Sequence, residues 1–397
     1  TEATVSLEPV PNETAVVLLT YDDVLTAMED VAPILDHEPA AVEVMDDVLL
    51  DLARDTAEFA PVVDILPDGT DSTLLVEFYA DSVAEGNQKV ANLLSDQLPS
   101  YEPAVEAGDD AITTDGSVNA TDDLEAYDDD RQAKFWKMRK AGLPILLSRT
   151  GDEKHWPFVE DTAVPAENLP EYVADIQELF AEYDTFASYY AHAGPGVLHI
   201  RPLLNLKDED GVETMLEISD AVTDLVIEYG GSVSGEHGDG RARSTWNKKL
   251  YGDDLWESFR RLKTAFDPQW LLNPGNVCGD TDPTENLRYD DDYEFEAGFE
   301  PTLNWDNDNG FQGMAELCHG CAGCEGHQDT TGGVMCPTYR ATENEEITST
   351  RGRANMLRRS MSGDLPDDVF DDEFIHAVLD LCIGCQGCKR DCPSGVD

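Results

Sequence analysis

Eight of the nine cysteines fall in two short runs near the end of the chain, and these runs constrain the C-terminal region more than any other feature. The second run reads C-x2-C-x2-C-x3-C-P, and the first reads C-x2-C-x2-C followed, after eleven residues, by C-P. Spacings of two residues let three thiolates on one tight turn reach three corners of a [4Fe–4S] cube, and a more distant cysteine completes the fourth. The pattern therefore predicts two such clusters.

The assignment of ligands follows from a rule for two-cluster sites, in which the fourth cysteine of each run ligates the other cluster. It places one cluster on Cys318, Cys321, Cys324 and Cys392, and the other on Cys382, Cys385, Cys388 and Cys336. Structural zinc is the alternative, although zinc sites usually pair two C-x2-4-C knuckles or use histidine. A disulfide framework is disfavoured because no secretory signal is present. Cys278 stands apart and is interpreted as an incidental or buried thiol.

The segment between the cysteine runs is basic, in contrast to the rest of the chain. It contains Arg351, Arg353, Arg358 and Arg359, with Arg340 just upstream. Thiolate-ligated clusters are net anions, so nearby guanidinium groups could offset their charge and raise their potential. A surface helix with a basic stripe is an equally good interpretation.

The charge balance is extreme, with 83 acidic and 26 basic residues and a formal net charge of -57 over 397 residues. Such self-repulsion is tolerable at molar salt, where the Debye length shrinks to about 3 Å. We therefore expect a halophilic protein of a high-salt cytosol, and nucleic-acid binding is disfavoured because no basic face stands out. No apolar run is long enough for a membrane span and no export signal is visible, so we expect a cytoplasmic location, with association with the inner membrane face left open.

Two rounds of strand-like and helix-like segments precede the cysteines and indicate an α+β fold. In the first round, strands at 15–20 and 72–80 alternate with helical patterns, and 101–130 has the polar composition of a surface loop. The second round has helices in 170–183, 213–230 and 255–267 around a strand at 197–204. We predict a duplicated ferredoxin-like domain over 1–279, an acidic linker over 280–309 and a small α-helical domain with two clusters over 310–397.

Two histidine-containing segments carry the remaining chemistry. The segment SGEHGDGRARS has Gly238 and Gly240 that let the backbone approach a ligand, and it sets Glu236 beside His237. In AHAGPGVLHIRP, His192 and His199 flank a Gly-x-Gly turn, so their rings can converge. On spacing alone, a metal site and ordinary hydrogen-bonded histidines both remain open.

The order of motifs resembles a known family. EHGDGRARS, FDPQWLLNPGN, and two cysteine groups separated by TSTRGRANMLR are similar to the flavin-linked D-2-hydroxyacid dehydrogenases fused to iron–sulfur modules, the D-lactate, D-2-hydroxyglutarate and glycolate dehydrogenase group. The resemblance covers essentially the whole chain. It implies a substrate domain of the FAD-linked oxidase C-terminal type followed by a helical ferredoxin-like domain, and oxidation of a D-2-hydroxyacid to the 2-oxoacid with electrons passing from FAD through both clusters.

The resemblance also implies roles for individual residues, with a divalent metal, expected to be Zn²⁺, holding the oxygens of the 2-hydroxyacid. The implied roles are metal ligation for His192, His199 and Glu236, general base for His237, substrate carboxylate binding for Arg139, and a position near flavin for Asn273, with Gly238 and Gly240 beside the cofactor. Arg201 stands where some relatives have Asn, and Val159 where the hydroxyglutarate enzymes have Lys. Arg201 would fit a second or differently placed carboxylate, so the particular hydroxyacid stays open.

The resemblance finally sets expectations about partners. FAD in this family is held chiefly by an N-terminal domain, and no pyrophosphate-binding G-x-G-x-x-G loop is found in 1–397. We expect the FAD-binding domain, or a separate FAD-binding subunit, and a C-terminal cysteine-rich domain to be absent from this chain. The downstream electron acceptor would be a quinone, a cytochrome or a cysteine-rich iron–sulfur protein. The alternatives are a non-catalytic electron-transfer subunit of a glycolate-oxidase-like complex and a truncated remnant.

Overall fold

The computed structural model describes residues 4–7, 9–55, 59–98, 119–140, 142–296, 298, 300–326, 333–343, 345–363 and 372–396. The chain divides into two compact units. The first comprises 1–140, 157–202 and 217–285, and the second comprises 141–156, 203–216 and 286–397.

Eight strands and nine helices precede the cysteine region among these residues. The strands are β1 (Glu13–Tyr21), β2 (Ala41–Met45), β3 (Ser72–Ala80), β4 (Asp122–Ala126), β5 (Lys154–His155), β6 (Thr162–Ala163), β7 (Ala187–His192) and β8 (Val197–Leu204). The helices are α1 (Val24–Leu35), α2 (Asp47–Arg54), α3 (Ala60–Val63), α4 (Val83–Gln97), α5 (Asp129–Lys140), α6 (Gly142–Leu146), α7 (Leu169–Glu182), α8 (Gly211–Glu228) and α9 (Ser244–Phe266).

The first half of the sheet is built from β1, α1, β2, β3, α4 and β4 in chain order. These strands lie in the order β4-β1-β3-β2, and each neighbouring pair is antiparallel. This connectivity is the ferredoxin-like β-α-β-β-α-β unit. The apolar run of β1 is buried along 15–21, and α1 begins where the Asp23 side chain accepts the Thr26 amide at 2.9 Å.

The second half repeats this connectivity with β6, α7, β7, β8 and α8. β6 pairs with β8, β8 pairs with β7, and an isolated bridge from Ala163 to Ser232 stands in for the fourth strand. The two repeats meet where β2 pairs with β7, with Glu43 opposite His192. The predicted α+β fold with a duplicated ferredoxin-like unit is therefore confirmed.

Several elements were not predicted, and the reasons are physical. β4 lies within the polar stretch interpreted as a loop at 101–130, and that part of the prediction was wrong. An edge strand can leave most of its side chains at least partly accessible while its backbone pairs with β1, so DDLEA shows no apolar pattern. Residues 101–118 of the predicted loop lie outside the described residues. β2 and β7 were also missed, and α9 begins earlier than predicted, with a kink at Gly252.

The second unit carries the cysteine runs on turns between short helices. These helices are α10 (Gly310–Glu316), α11 (Pro337–Ala341), α12 (Thr350–Met361), α13 (Asp372–Asp380) and α14 (Gly387–Asp391). Tyr289, from the stretch predicted as a linker, is buried and packs against Trp156 with ring centroids 5.6 Å apart. The division of the chain at 279 and 309 stays a prediction. Within the described residues, no helix combines the length and apolarity that a membrane crossing requires.

Candidate active site and cysteine cavities

A tight hairpin between β7 and β8 brings two histidines together. His192 ends β7 and His199 lies in β8, and their ring centroids are 5.2 Å apart. Gly196 in the turn has φ of 74°, and a Cβ there would lie 1.9 Å from the backbone oxygen of Val164. The turn therefore requires glycine, and it fixes how the two strands present their histidines.

A loop held by Asp161 supplies the other two groups. Asp161 is fully buried, and its carboxylate accepts the Ser234 hydroxyl at 2.7 Å and the amides of Glu236 and His237 at 2.9 Å each. Its carbonyl oxygen accepts the Gly235 amide at 2.7 Å. This one residue thus anchors the loop that presents Glu236 and His237. Sequence reasoning missed it.

Three histidine side chains converge on one carboxylate oxygen. Oε1 of Glu236 lies 3.2 Å from Nε2 of His192, 3.3 Å from Nε2 of His199 and 3.2 Å from Nε2 of His237. The donor atoms of His192, His199 and Glu236 all lie within 4.8 Å of one another. Two imidazoles and a carboxylate are a normal donor set for catalytic Zn²⁺. The residues present therefore fit a divalent metal.

In two further groups of side chains, the possible ligand atoms also lie within 4.8 Å of one another. In both, a carboxylate already has other partners, because Asp161 holds the loop amides and Glu160 faces arginines. The groups are Glu160 with His199 and His237, and Asp161 with Glu236 and His237.

Glu43 is a second residue that sequence reasoning missed. It lies opposite His192 in the β2–β7 pairing, is 5% exposed, and places Oε1 2.8 Å from Nδ1 of His192. The same carboxylate lies 2.9 Å from Nη2 of Arg139. The hydrogen bond to Glu43 raises the pKa of His192. A carboxylate on Nδ1 directs the other nitrogen, Nε2, toward the metal position, as in carboxylate–histidine–zinc arrangements. A buried acid in the apolar strand AVEVM was the signal available.

Glu160 connects His237 and His199 with two arginines. Its carboxylate accepts from Arg201 Nη2 at 2.8 Å, and lies 3.2 Å from Nδ1 of His237, 3.6 Å from Nδ1 of His199 and 3.3 Å from Arg243 Nη2. Burial raises the pKa of Glu160, but the nearby Nδ1 of His199 and the charge of Arg201 outweigh it and lower the pKa to about 2. Glu160 is thus an anion at every working pH, and it fixes Nδ1 of His237.

The two predicted substrate arginines both pack on Tyr190. The guanidinium carbon of Arg139 lies 5.0 Å from the ring centroid and that of Arg201 lies 5.4 Å from it. Arg201 also donates to the Tyr190 hydroxyl from Nη2 at 2.6 Å. Both arginines are buried, and each faces a carboxylate that also contacts a site histidine. The structure places them beside the histidines, and their roles toward substrate stay predictions.

The predicted cofactor-facing residues lie on exposed backbone. Gly238 and Gly240 have φ of 80° and 51°, and a Cβ at either position would have nothing within 4 Å. Asn273 is exposed in the turn after α9, with φ of 44°. Among the described residues, Asn273 forms no hydrogen bond with the site histidines. Proximity of these three residues to flavin stays a prediction.

The cysteines of the second unit line two separate cavities. The first, of about 20 Å³, is lined by Cys318, Cys321, Cys324 and Cys392, the set predicted from the spacing. Cys392 packs against the small apolar cluster that contains Cys318. Burial raises the pKa of Cys318, Cys324 and Cys392.

The second cavity, of about 170 Å³, is lined by the other predicted set, Cys336, Cys382, Cys385 and Cys388, together with Arg353. Burial raises the pKa of Cys336, but hydrogen bonds from backbone amides, that of Tyr339 foremost, and from the Arg353 side chain outweigh it and lower the pKa. All nine cysteines lie within the described residues and none forms a disulfide. Two cavities with four thiols each fit two four-iron clusters.

Two family models match this chain. The model for "FAD linked oxidases, C-terminal domain" matches residues 10–277, and that for "4Fe-4S dicluster domain" matches residues 314–396. The second match confirms a helical iron–sulfur domain after the first.

Curated relatives extend these matches. D-2-hydroxyglutarate dehydrogenase of Pseudomonas putida is 30% identical over 100% of this chain and 41% of its own length, and that of Escherichia coli is 27% identical over 100% and 41%. Glycolate oxidase subunit GlcD of Escherichia coli is 30% identical over 69% of this chain and 50% of its own length. The chain thus spans about two fifths of the length of the first two. A solved 4-ethylphenol oxidase from Gulosibacter chungangensis is 14% identical over 68% of this chain and 54% of its own, with a TM-score of 0.46.

Proposed function

Because this chain belongs to the FAD-linked oxidases, C-terminal domain family and also carries a 4Fe-4S dicluster domain, we propose that it is the substrate-binding and electron-relay part of a flavin-dependent dehydrogenase. The substrate is a D-2-hydroxyacid, D-lactate-like or D-2-hydroxyglutarate-like, and the product is the 2-oxoacid. The convergence of His192, His199 and His237 on one oxygen of Glu236 carries this proposal.

His192, His199 and Glu236 are the metal ligands in this proposal. Zn²⁺ bound there would act as a Lewis acid that lowers the pKa of a coordinated hydroxyl group, as it does for bound water. Glu43 supports the role of His192, because it occupies Nδ1 and leaves Nε2 directed at the shared position. Asp161 supports the role of Glu236 by holding its backbone amide.

His237 takes the proton of the substrate hydroxyl in this proposal. Its Nδ1 lies 3.2 Å from the anionic Glu160, so the ring keeps a proton on Nδ1 and offers Nε2 as the base. Nε2 lies 3.2 Å from the same Glu236 oxygen that faces the metal ligands. This position beside the proposed metal ligands supports the role of general base, which requires hydrogen-bond reach of the substrate hydroxyl.

Arg139 is the proposed partner of the substrate carboxylate. Its Nη2 faces Glu43, and its Nε has no hydrogen-bond partner among the described residues, although it is buried. A guanidinium fork suits a carboxylate, so the substrate would supply the missing acceptor. Arg201 is proposed to contact a second or differently placed carboxylate, although it already donates to Glu160.

The remaining cofactors complete the redox path. FAD, when bound, supplies a hydride acceptor, and the two clusters supply one-electron carriers toward a downstream acceptor. The eight cysteines in two four-thiol cavities support both clusters and their crossed ligation. Asn273, Gly238 and Gly240 are proposed to lie beside FAD, which is held mainly by a domain or subunit other than this chain.

The decisive experiment uses the flavin-complete protein, reconstituted anaerobically in molar KCl. D-2-hydroxyglutarate, D-lactate and glycolate are each mixed with it, with L-lactate as the stereochemical control, and flavin bleaching and cluster EPR are followed. His237→Ala should slow flavin reduction at least about 100-fold, the lower range for loss of a general base. The exposed His376, outside the site, provides the control variant His376→Ala, which should react at the wild-type rate.

Three results would contradict parts of the proposal. Wild-type turnover by His237→Ala would remove that residue from the mechanism. Cluster signals without reduction of the flavin by D-2-hydroxyglutarate, D-lactate or glycolate would favour a non-catalytic electron-transfer subunit. Stoichiometric zinc at the cysteines with no EPR signal would exclude the relay.

A further inference from the structure

The arginines of α12 differ in how their charge is balanced. This helix begins after Ser349, whose hydroxyl accepts the Gly352 amide at 2.9 Å, and its first turns run past both cysteine cavities. Arg351 lines the first cavity and Arg353 lines the second. The two side chains are only two residues apart, yet their surroundings differ in counter-charge, in exposure and in the group that meets a cysteine sulfur.

Arg351 is neutralised by carboxylates. Its Nη2 lies 2.9 Å from Oε2 of Glu325 and 2.8 Å from Oε1 of Glu346. The contact of this residue with a cysteine is made by its backbone amide, which lies 3.4 Å from Sγ of Cys324. The guanidinium charge of Arg351 is thus offset by two acidic side chains.

Arg353 has no such counter-charge among the residues that the structure describes. It is 8% exposed, and its Nη1 donates toward Sγ of Cys336 at 3.6 Å. Its Nε points to the carbonyl oxygen of Val378 at 3.4 Å, and its Nη2 has no hydrogen-bond partner. A buried cation therefore faces the second cavity and directs one N–H group at a ligand sulfur.

This asymmetry bears on where an electron would rest. A cluster gains one negative charge when it is reduced, and a buried cation stabilises that charge more than an ion-paired, partly exposed one does. Hydrogen bonds to the ligand sulfurs act in the same direction and raise the reduction potential. At the first cavity, the hydrogen bonds to sulfur come from groups without net charge, namely the Arg351 and Gly323 amides and the Asn355 side chain, which lies 3.9 Å from Sγ of Cys318.

We infer that Arg353 is a positioning residue for electron transfer, which makes the cluster on Cys336, Cys382, Cys385 and Cys388 the higher-potential member of the pair. The inference rests on the proposed function, because it presupposes both clusters. One electron then moves from the cluster on Cys318, Cys321, Cys324 and Cys392 to the second cluster, and no bond is made and no proton is transferred. The second cluster is the exit from this domain toward the downstream acceptor.

The test is an EPR-monitored redox titration of the whole 397-residue chain, reconstituted anaerobically with iron and sulfide in molar KCl. Each signal is assigned with Cys385→Ser, which should remove the second cluster, and Cys321→Ser, which should remove the first. In Arg353→Met, the reduced-to-oxidised ratio of the second cluster at a fixed potential should fall at least tenfold, which corresponds to about 59 mV for a one-electron couple. Arg353→Lys keeps the charge and should recover most of that loss.

Arg351→Met is the matched control. It removes an arginine of the same helix that lines the first cavity and is more exposed than Arg353, while its backbone amide to Cys324 remains, so the second cluster should change less than about threefold. Iron content and circular dichroism identify variants that fail to assemble. If Arg353→Met is one of them, the reduction potential of the second cluster in Arg353→Lys is used instead.

The outcomes separate this inference from the proposed function. Two clusters whose order of reduction is reversed, or unchanged potentials in Arg353→Met, overturn the inference and leave the relay standing. Fewer than two clusters in the wild-type chain overturn the relay itself, and the inference falls with it.

Discussion

Replacement of Glu43 by Gln tests the link between the sheet and the metal position. Glu43 contacts both His192 and Arg139, so Glu43→Gln removes a charge from two partners with little change in shape. Loss of the group that orients a ligating histidine typically weakens metal binding about 10- to 100-fold, or about 1.4 to 2.8 kcal/mol. Arg139 is also left as a buried cation without a counter-charge, which costs about 3 to 5 kcal/mol of stability.

The assay measures these two effects separately. Zinc affinity is obtained by competition with a chelator, and the free energy of unfolding by urea denaturation in molar KCl. The double variant Glu43→Gln/Arg139→Met removes both charges of the buried pair, so we expect stability to recover while zinc affinity stays low. Glu77→Gln is the matched control, because Glu77 lies on the same sheet and accepts from the Trp136 indole at 2.9 Å without contact to a site histidine.

The orienting role of Glu43 is refuted if Glu43→Gln is folded and binds zinc within about twofold of the wild-type affinity, well short of the loss expected for an orienting carboxylate. Recovery of zinc affinity in the double variant would also count against it, since the histidine would then depend on Arg139 rather than on the carboxylate.

Three further predictions concern stability. Gly196→Ala should lower the free energy of unfolding by at least about 2 kcal/mol, because its Cβ would overlap a backbone oxygen. Gly69→Ala, with φ of 88° but open space around the new Cβ, should lower it by about 1 kcal/mol. Urea denaturation of both variants compares the two losses. Burial raises the pKa of Asp46 to about 7, so the stability it contributes is full below about pH 4 and is lost as the pH rises through 7. Asp46→Asn should flatten this decline of stability with pH, whereas Asp23→Asn, at an exposed helix cap, should leave it unchanged. Equal slopes of unfolding free energy against pH in the two variants would contradict this. Finally, the melting temperature should increase when KCl is raised from about 0.1 M to about 2 M, because a Debye length of about 3 Å at 1 M screens most of the repulsion between acidic side chains. A melting temperature that does not change with salt would contradict the halophile prediction.

Local sequence determined those parts of the site whose members lie close along the chain. The spacing of Cys382, Cys385 and Cys388 places three thiols on one turn, and the structure has them at one cavity. The same holds for His192 and His199, which are joined by a turn that only glycine can form at Gly196. Apolar runs such as that of β1 also identified central strands, because burial on both faces leaves a continuous pattern.

The tertiary structure decided what surrounds those groups. Glu43 lies 149 positions before His192 and becomes its neighbour only through the pairing of β2 with β7, where the two ferredoxin-like repeats meet. Glu160 and Asp161 also contact His237, although they lie 77 and 76 positions before it in the chain. Neither pairing leaves a local pattern, since register between distant strands depends on the packing of the whole sheet.

The chemistry of this chain is thus divided between the two levels. The sequence alone determined which residue types are available and which of them share a turn, because spacing along a short segment limits where side chains can point. Only the tertiary structure decided the charge balance of the two arginines. Arg353 faces a cysteine and has no counter-charge among the described residues, whereas Arg351 is paired with two carboxylates. Charge balance in a buried site depends on partners from other segments, such as Glu325 and Glu346, and no local spacing specifies them.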